Sequence, residues 1–308
     1  MLGLINTRAA WDDDDNSWND NLRHELSRDI KVLNAPLQIL SLINSESVIN
    51  DLNLWFDSVF LNNLSGCLVF TSPACVKAFT DHLRYAQAKK ALSFNPNSNP
   101  EKIISSISIG ILDGKLKVAA IGTGTKKKLT ELVVNNLFKF NGAAKIFSKK
   151  ILCVEKNADA ESFIQMYKNK FTDDNLLILE GEKNKTKLVG GLKKYARKVE
   201  NLVLYRRKEC SLPSLEKFYN CIFKKNKPSN DIIDFNKQVF VLLSSSSIAV
   251  LAKSEFKKQK VTLNTMIVLS HHDRIINIVK EDCRNLEFAK ILSLSPKLIA
   301  EELKKYLP

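Results

Sequence analysis

Three hydroxyl-rich turns hold the residues of this sequence best suited to gripping an anion. Thr71-Ser72-Pro73 follows a short apolar run at 66–70, and Val76, Phe79 and Leu83 then recur at helical spacing. Ser72 suits a helix N-cap because its oxygen satisfies an orphan amide, and Pro73 suits the first helical position because it has no amide to leave unpaired. A strand that runs straight into a helix aims free N–H groups and a positive dipole at one point. Such a junction is either an ordinary helix start or an anion cradle. Residues 238–250 repeat the pattern: an apolar strand, then Ser244, Ser245, Ser246 and Ser247, then an apolar helix start. Two such turns in two halves predict a duplicated α/β unit with a cleft between the copies. The third turn, Gly122-Thr123-Gly124-Thr125, brings small residues and backbone amides to another strand end. It lacks the remaining spacing of a dinucleotide fingerprint and the Lys-Ser/Thr of a P-loop, which argues against nucleotide binding.

Other clusters read less sharply. His271 and His272 are adjacent, and side chains at adjacent positions diverge, so a helix start with Asp273 in its first turn is preferred over a metal site. Asp12 to Asp15 form an acidic loop before a helix, where the dipole favours them. The six cysteines are scattered without a Cys-x-x-Cys spacing and several fall in apolar strands, which predicts free thiols in a reducing cytoplasm and no zinc site.

The elements that must position these turns alternate along the whole chain. Expected strands lie near 2–5, 66–70, 117–121, 151–154, 175–179, 201–205, 238–243, 265–269 and 288–292. Expected helices include one with Trp18, Leu22, Leu26 and Ile30 on its inner face, and others at 47–60, 126–137, 158–167, 185–199, around Leu215 to Ile222, and after Ser295-Pro296. Residues 32–40 should be extended around Pro36. Composition after Tyr85 shifts to Lys, Asn, Ser and Pro and reads as a loop through about residue 108. Strands alternating with helices predict parallel sheets covered by helices.

At 308 residues and 44% hydrophobic content, two modest domains are the better expectation. No stretch approaches the ~20 apolar residues of a membrane span, and charge comes too early at the N-terminus for a signal peptide. Lys and Arg outnumber Asp and Glu by 47 to 33, a net charge of +14, which suits either a polyanionic partner or a merely solvated lysine-rich surface.

The order of these turns resembles the uroporphyrinogen-III synthase family nearly end to end. The motifs are a strand into Thr7-Arg8, Ala35-Pro36-Leu37, Val69 to Pro73, Ala120-Ile121-Gly122 with Thr125, Leu177 to Glu182 with Lys185, Val203 to Arg206, Ser244 to Ser246, and the closing Ser293 to Leu303. Each is short, and their colinearity carries the resemblance. It implies an α/β fold of two domains, each a parallel sheet flanked by helices, joined by a two-stranded connector with a cleft between them. The first domain is expected to be discontinuous, 1–35 plus 207–308, the second 41–200, and the connector strands 32–40 and 201–209. The implied reaction cyclises hydroxymethylbilane to uroporphyrinogen III, inverting the terminal pyrrole ring and losing water, with no metal or organic cofactor.

Under that resemblance Tyr205 matches the family's tyrosine at the connector end and is the expected proton or hydrogen-bond donor to the departing hydroxyl. Thr7, Arg8, Thr71, Ser72, Gly122, Thr123, Thr125, Gly181, Lys185, Ser244, Ser245 and Ser246 are the expected substrate-binding residues. The protein is expected to be a cytoplasmic monomer that binds neither nucleic acid nor membrane. Two departures stand out. Ser270-His271-His272-Asp273 replaces the family's usual Gly-x-x-Thr turn, which also suits a noncatalytic tetrapyrrole-binding relative, and Lys185 stands where many relatives have Arg. A basic nucleic-acid binder is the most distant alternative, since the lysines are dispersed and no recognition motif interleaves them.

Overall fold

The computed structural model describes residues 1–12, 17–90, 107, 109–111, 113–131, 147, 149–155, 159–182, 187–224, 233–281, 283 and 285–307. The chain divides into two compact units, Met1–Ser41 with Arg207–Pro308 and Leu42–Arg206. Both are parallel sheets packed between helices.

The discontinuous unit is built on β1 (Leu2–Asn6), β3 (Ile30–Asn34), β10 (Val239–Leu242), β11 (Ile267–Ser270) and β12 (Glu287–Lys290), in the order β12-β11-β10-β1-β3 and all parallel. The three central strands β11, β10 and β1 are near-continuously apolar because both their faces are buried, whereas the edge strands β3 and β12 are partly exposed. Because strand side chains alternate, Val239 and Val241 pack with Ile5 and Val268 in one core, while Phe240 and Leu242 pack with Leu4 and Leu269 in another. The first core is closed by α7 (Leu215–Phe223), α8 (Ser246–Lys258) and α9 (Asp273–Lys280), and the second by α1 (Ser17–Glu25) and α10 (Pro296–Lys304). A two-residue strand, β2 (Ala10–Trp11), pairs in parallel with β4 (Gln38–Leu42).

The continuous unit carries β5 (Ser65–Phe70), β6 (Leu116–Ile121), β7 (Leu152–Val154), β8 (Asp174–Gly181) and β9 (Lys198–Glu209), in the parallel order β9-β8-β5-β6-β7. β8 is buried along its whole length. Phe163 of α5 (Ala160–Tyr167) and Leu188 and Leu192 of α6 (Lys187–Leu192) cover one face. α2 (Ser45–Phe60) and α3 (Pro73–Lys90) belong to the other, where Phe79 meets Phe70 edge-on with ring centroids 5.4 Å apart. The strand β6 leads into α4 (Thr123–Leu129).

Several expected boundaries move. The first helix ends at Glu25, and Ile30 opens β3 instead of closing the helix. α3 runs on through Tyr85 to Lys90, because Ala86, Gln87, Ala88, Lys89 and Lys90 are all good helix formers. Residues 91–106 and 108 of the expected loop lie outside the described residues, as do 13–15 of the acidic loop and 132–137 of the helix after Gly122. The helix expected through Val199 stops at Leu192; Val199 pairs with Leu176 on β8, and Tyr195 is exposed. The β-branched and aromatic content of 199–205 wins over helical spacing there.

Candidate functional site

In a doubly wound sheet, ligands bind beyond the carboxyl ends of the strands, where the winding reverses direction. In the continuous unit the chain leaves β5 for β6 and β7 and then returns to β8 and β9 on the other side of β5. The reversal falls between the ends of β5 and β8, at Thr71-Ser72 and Gly181. In the discontinuous unit it falls between β1 and β10, at Thr7-Arg8 and Ser244.

Ser72 does cap α3: its Oγ accepts from the Cys75 N–H at 3.2 Å. The same oxygen lies 3.5 Å from the Tyr205 hydroxyl. Tyr205 is 1% exposed, and its ring lies directly against the Gly181 backbone. A Cβ placed on Gly181 would stand 2.4 Å from Tyr205 Cζ and 2.7 Å from its hydroxyl oxygen. Only glycine leaves room for the phenol there. The Gly122 turn is close by, since a Cβ on Gly124 would be 3.8 Å from Pro73 Cγ. Gly122 itself has φ of 87°, the left-handed region glycine occupies without strain. Thr123 is exposed. Four expected positions, Ser72, Gly122, Gly181 and Tyr205, are thus gathered at one edge of one sheet.

The threonines are placed differently from free ligand donors. Thr71 Oγ1 donates to the Leu179 carbonyl at 2.9 Å, Thr125 Oγ1 to Ile121 at 2.8 Å, and Thr7 Oγ1 to Leu242 at 2.5 Å. Each hydroxyl satisfies a carbonyl at a strand end or first helical turn, so these threonines shape the edge. Lys185 lies outside the described residues.

In the discontinuous unit, polar groups without partners among the described residues lie at neighbouring strand ends. The Arg8 guanidinium stacks 3.7 Å from the centroid of the Trp18 ring and makes no hydrogen bond or ion pair among the described residues. Burial brings its pKa down to about 10. Ser245 caps α8 by accepting from the Ile248 N–H at 3.3 Å, while Ser246 Oγ is buried without a partner among the described residues. Ser244 is half-buried at the same turn. His271 Nδ1 is also buried and unpartnered among the described residues. Its pKa is lowered to about 4 by burial first, then by His272 and Arg8, so the ring is neutral near pH 7. The ends of β1, β10 and β11 are neighbours in the sheet, which sets Arg8, the Ser244 turn and His271 in a row. A desolvated cation and two unmet polar atoms on one edge are the electrostatic requirement for an anion.

Sequence reasoning missed His82. It is fully buried on α3, with Nε2 2.8 Å from the Leu204 carbonyl oxygen and Nδ1 2.8 Å from Ser45 Oγ. Its spacing from Phe79 on α3 gives no hint of a contact with the residue before Tyr205. All six cysteines are free, and among the described residues no three His, Cys, Asp or Glu side chains are grouped to hold a metal ion. No helix among the described residues is long and apolar enough to cross a membrane.

A family model described as uroporphyrinogen-III synthase HemD matches residues 58–268. Among solved structures, a mutant uroporphyrinogen III synthase from Thermus thermophilus is similar over 99% of this chain and 100% of that one, at 12% identity and a TM-score of 0.50. The uroporphyrinogen-III synthetase from Helicobacter pylori is similar over 96% of this chain and 98% of that one, at 13% identity and a TM-score of 0.46. The Thermus likeness bears on the fold alone. None of the curated proteins matches.

Proposed function

The chain belongs to the uroporphyrinogen-III synthase family, and on that premise we propose how its own residues serve the closure of hydroxymethylbilane to uroporphyrinogen III. The hydroxyl of the substrate must leave as water, which requires a proton or a strong hydrogen bond at the departing oxygen. Tyr205 is the donor. The observation that carries this reading is its placement: the phenol is held on Gly181 at the winding reversal of its sheet, with its oxygen 3.5 Å from Ser72 Oγ at the start of α3.

Loss of water leaves an azafulvene cation, which the pyrrole at the far end of the chain attacks. The terminal ring is inverted as the macrocycle closes. Bringing two ends of a flexible tetrapyrrole together is chiefly a positioning problem, and fixing the acidic side chains lowers its entropic barrier. Each pyrrole carries two carboxylates. The amides at the start of α3 and of the Gly122-Thr123 turn, together with Gly181, are proposed to receive carboxylates in the continuous unit, the Thr71 N–H being already given to the Leu179 carbonyl. Arg8, with Ser246 and His271 beside it, is proposed to receive another in the discontinuous unit, flanked by Ser244 and Ser245. Thr7, Thr71 and Thr125 hold the strand ends that present these groups, and Lys185 is assigned a binding role by its motif alone. The six free thiols suit a reducing compartment, and the reading includes a cytoplasmic monomer, which size-exclusion chromatography and fractionation would check.

Isomer analysis tests the function. Hydroxymethylbilane incubated with the protein should yield the type III macrocycle; type I alone, the product expected without an enzyme, would refute the reading, and tight product binding without turnover would select a noncatalytic relative. Tyr205→Phe should lower turnover by ~100-fold or more while leaving the fold intact.

A further inference from the structure

Leu204 has no counterpart on β8. Glu180 pairs with Val203 and Gly181 with Tyr205, so Leu204 is the extra residue of a β-bulge. A bulge breaks the ladder locally and re-aims the side chain that follows it. Here the following side chain is Tyr205. The bulge carbonyl is met from outside the pair of strands, by His82 Nε2 at 2.8 Å and more loosely by the Ile43 N–H at 3.4 Å.

The protonation of His82 follows from its partners. Burial lowers its pKa from the ordinary histidine value, so the ring is neutral and carries one hydrogen. A carbonyl oxygen only accepts, which places that hydrogen on Nε2, and Nδ1 then accepts from the Ser45 hydroxyl. Ser45 is the first residue of α2, so the ring ties the start of one helix to the bulge. α3 therefore touches the tyrosine segment twice, through Ser72 at the phenol and through His82 at the peptide before it.

We propose that His82, held by Ser45, is a positioning residue for Tyr205: it fixes the Leu204 carbonyl at the bulge and so sets the rotation and height of the phenol over Gly181. This rests on Tyr205 acting in the reaction. His82 does not touch the substrate, and its effect passes through the peptide it holds. A leucine at this position fills similar space and leaves the carbonyl without its nearest donor, whereas a glutamine places an amide N–H where Nε2 stood.

The test combines kinetics with a direct view of the ring in the full-length protein. His82→Leu should lower kcat by ~10- to 100-fold with KM within about twofold, the scale set by a misplaced catalytic group. His82→Gln should recover most of that loss. In a Tyr205→Phe background, His82→Leu should change turnover by less than about twofold, because coupled residues are not additive. In fluorotyrosine-labelled protein, the fluorine resonance that vanishes in Tyr205→Phe should move in His82→Leu and return in His82→Gln. Where His82→Leu does not fold, His82→Asn, which keeps reach to Ser45 and loses reach to the carbonyl, takes its place. Equal losses with and without the Tyr205 hydroxyl, or an unmoved resonance, would overturn the proposal. Wild-type turnover in Tyr205→Phe would instead remove Tyr205 from the chemistry, and the fluorine resonance alone would then decide whether His82 sets the ring.

Discussion

Gly181→Ala places a methyl group where the Tyr205 ring already stands. The added Cβ would lie 2.4 Å from Cζ and 2.7 Å from both Cε2 and the hydroxyl oxygen, whereas ordinary contact begins at 3.4 Å. The difference from Cζ is 3.4 − 2.4 = 1.0 Å, so the ring or the β8 backbone must move by that much. The ring is fully buried and its own strand is pinned at the Leu204 bulge, so it cannot swing freely aside. Overpacking of this kind costs ~1–3 kcal/mol of stability. A displacement of ~1 Å at a catalytic group costs ~100-fold in turnover. The assay is conversion of hydroxymethylbilane, with the macrocycles oxidised to porphyrins and the type I and type III isomers separated by chromatography. kcat should fall by ~100-fold, type I product should rise as the unenzymatic route takes over, and thermal unfolding should shift down. Adding Tyr205→Phe separates packing from chemistry: the ring without its hydroxyl still meets the new methyl, so the stability loss persists, while activity falls no further than in Tyr205→Phe alone. A folded Gly181→Ala protein with wild-type kcat would show that the phenol's position against Gly181 has no part in the reaction.

Two further perturbations probe the structure, one in each unit. Asp174 is 1% exposed and its Oδ2 is 2.7 Å from Lys117 Nζ, while its other oxygen is buried without a partner among the described residues. Lys117→Met strands that carboxylate and should cost ~3–5 kcal/mol, read as a fall of roughly 10 °C or more in Tm; an unchanged Tm would mean the pair is not what holds Asp174 in place. His271 has a folded pKa of about 4 against an ordinary 6.5, so between those values the unfolded chain binds a proton that the native protein does not. Stability must therefore fall as pH drops from about 6.5 to about 4, by at most ~3 kcal/mol and, after discounting for the partly exposed ring, by ~1–2 kcal/mol. His271→Gln should flatten that acid limb in denaturant titrations, leaving the slope that His82 and His272, both also lowered by burial, contribute with the same sign; a limb unchanged by the substitution would rule out His271 as its source.

How much of this was legible in the sequence depends on whether the cause was local. The alternation of apolar runs with capped helical segments is written residue by residue, and it gave the α/β class and the strand-to-helix turns at Thr71-Ser72-Pro73 and Ser244 to Ser247, because N-caps and strand runs depend on neighbours in the chain. Val199 was lost to a helix because spacing cannot register that β8 lies alongside to pair with it. Thr7, Thr71 and Thr125 are expected from the sequence to bind substrate, and what the sequence does not show is that their hydroxyls donate to carbonyls at strand ends; Leu242 is Thr7's acceptor, 235 residues away in sequence, a distance no local pattern spans. The bulge is the clearest case. Nothing in Val203-Leu204-Tyr205 marks Leu204 as extra, since the count comes from β8, and nothing in α3 marks His82 as the donor that satisfies it. The residue type suited to the chemistry is thus visible in the sequence, whereas its aim is set by a register and a hydrogen bond supplied from elsewhere in the chain. For that reason removing the contact that Ser45, His82 or Gly181 supplies should lower turnover through Tyr205, although none of the three carries a group that reacts.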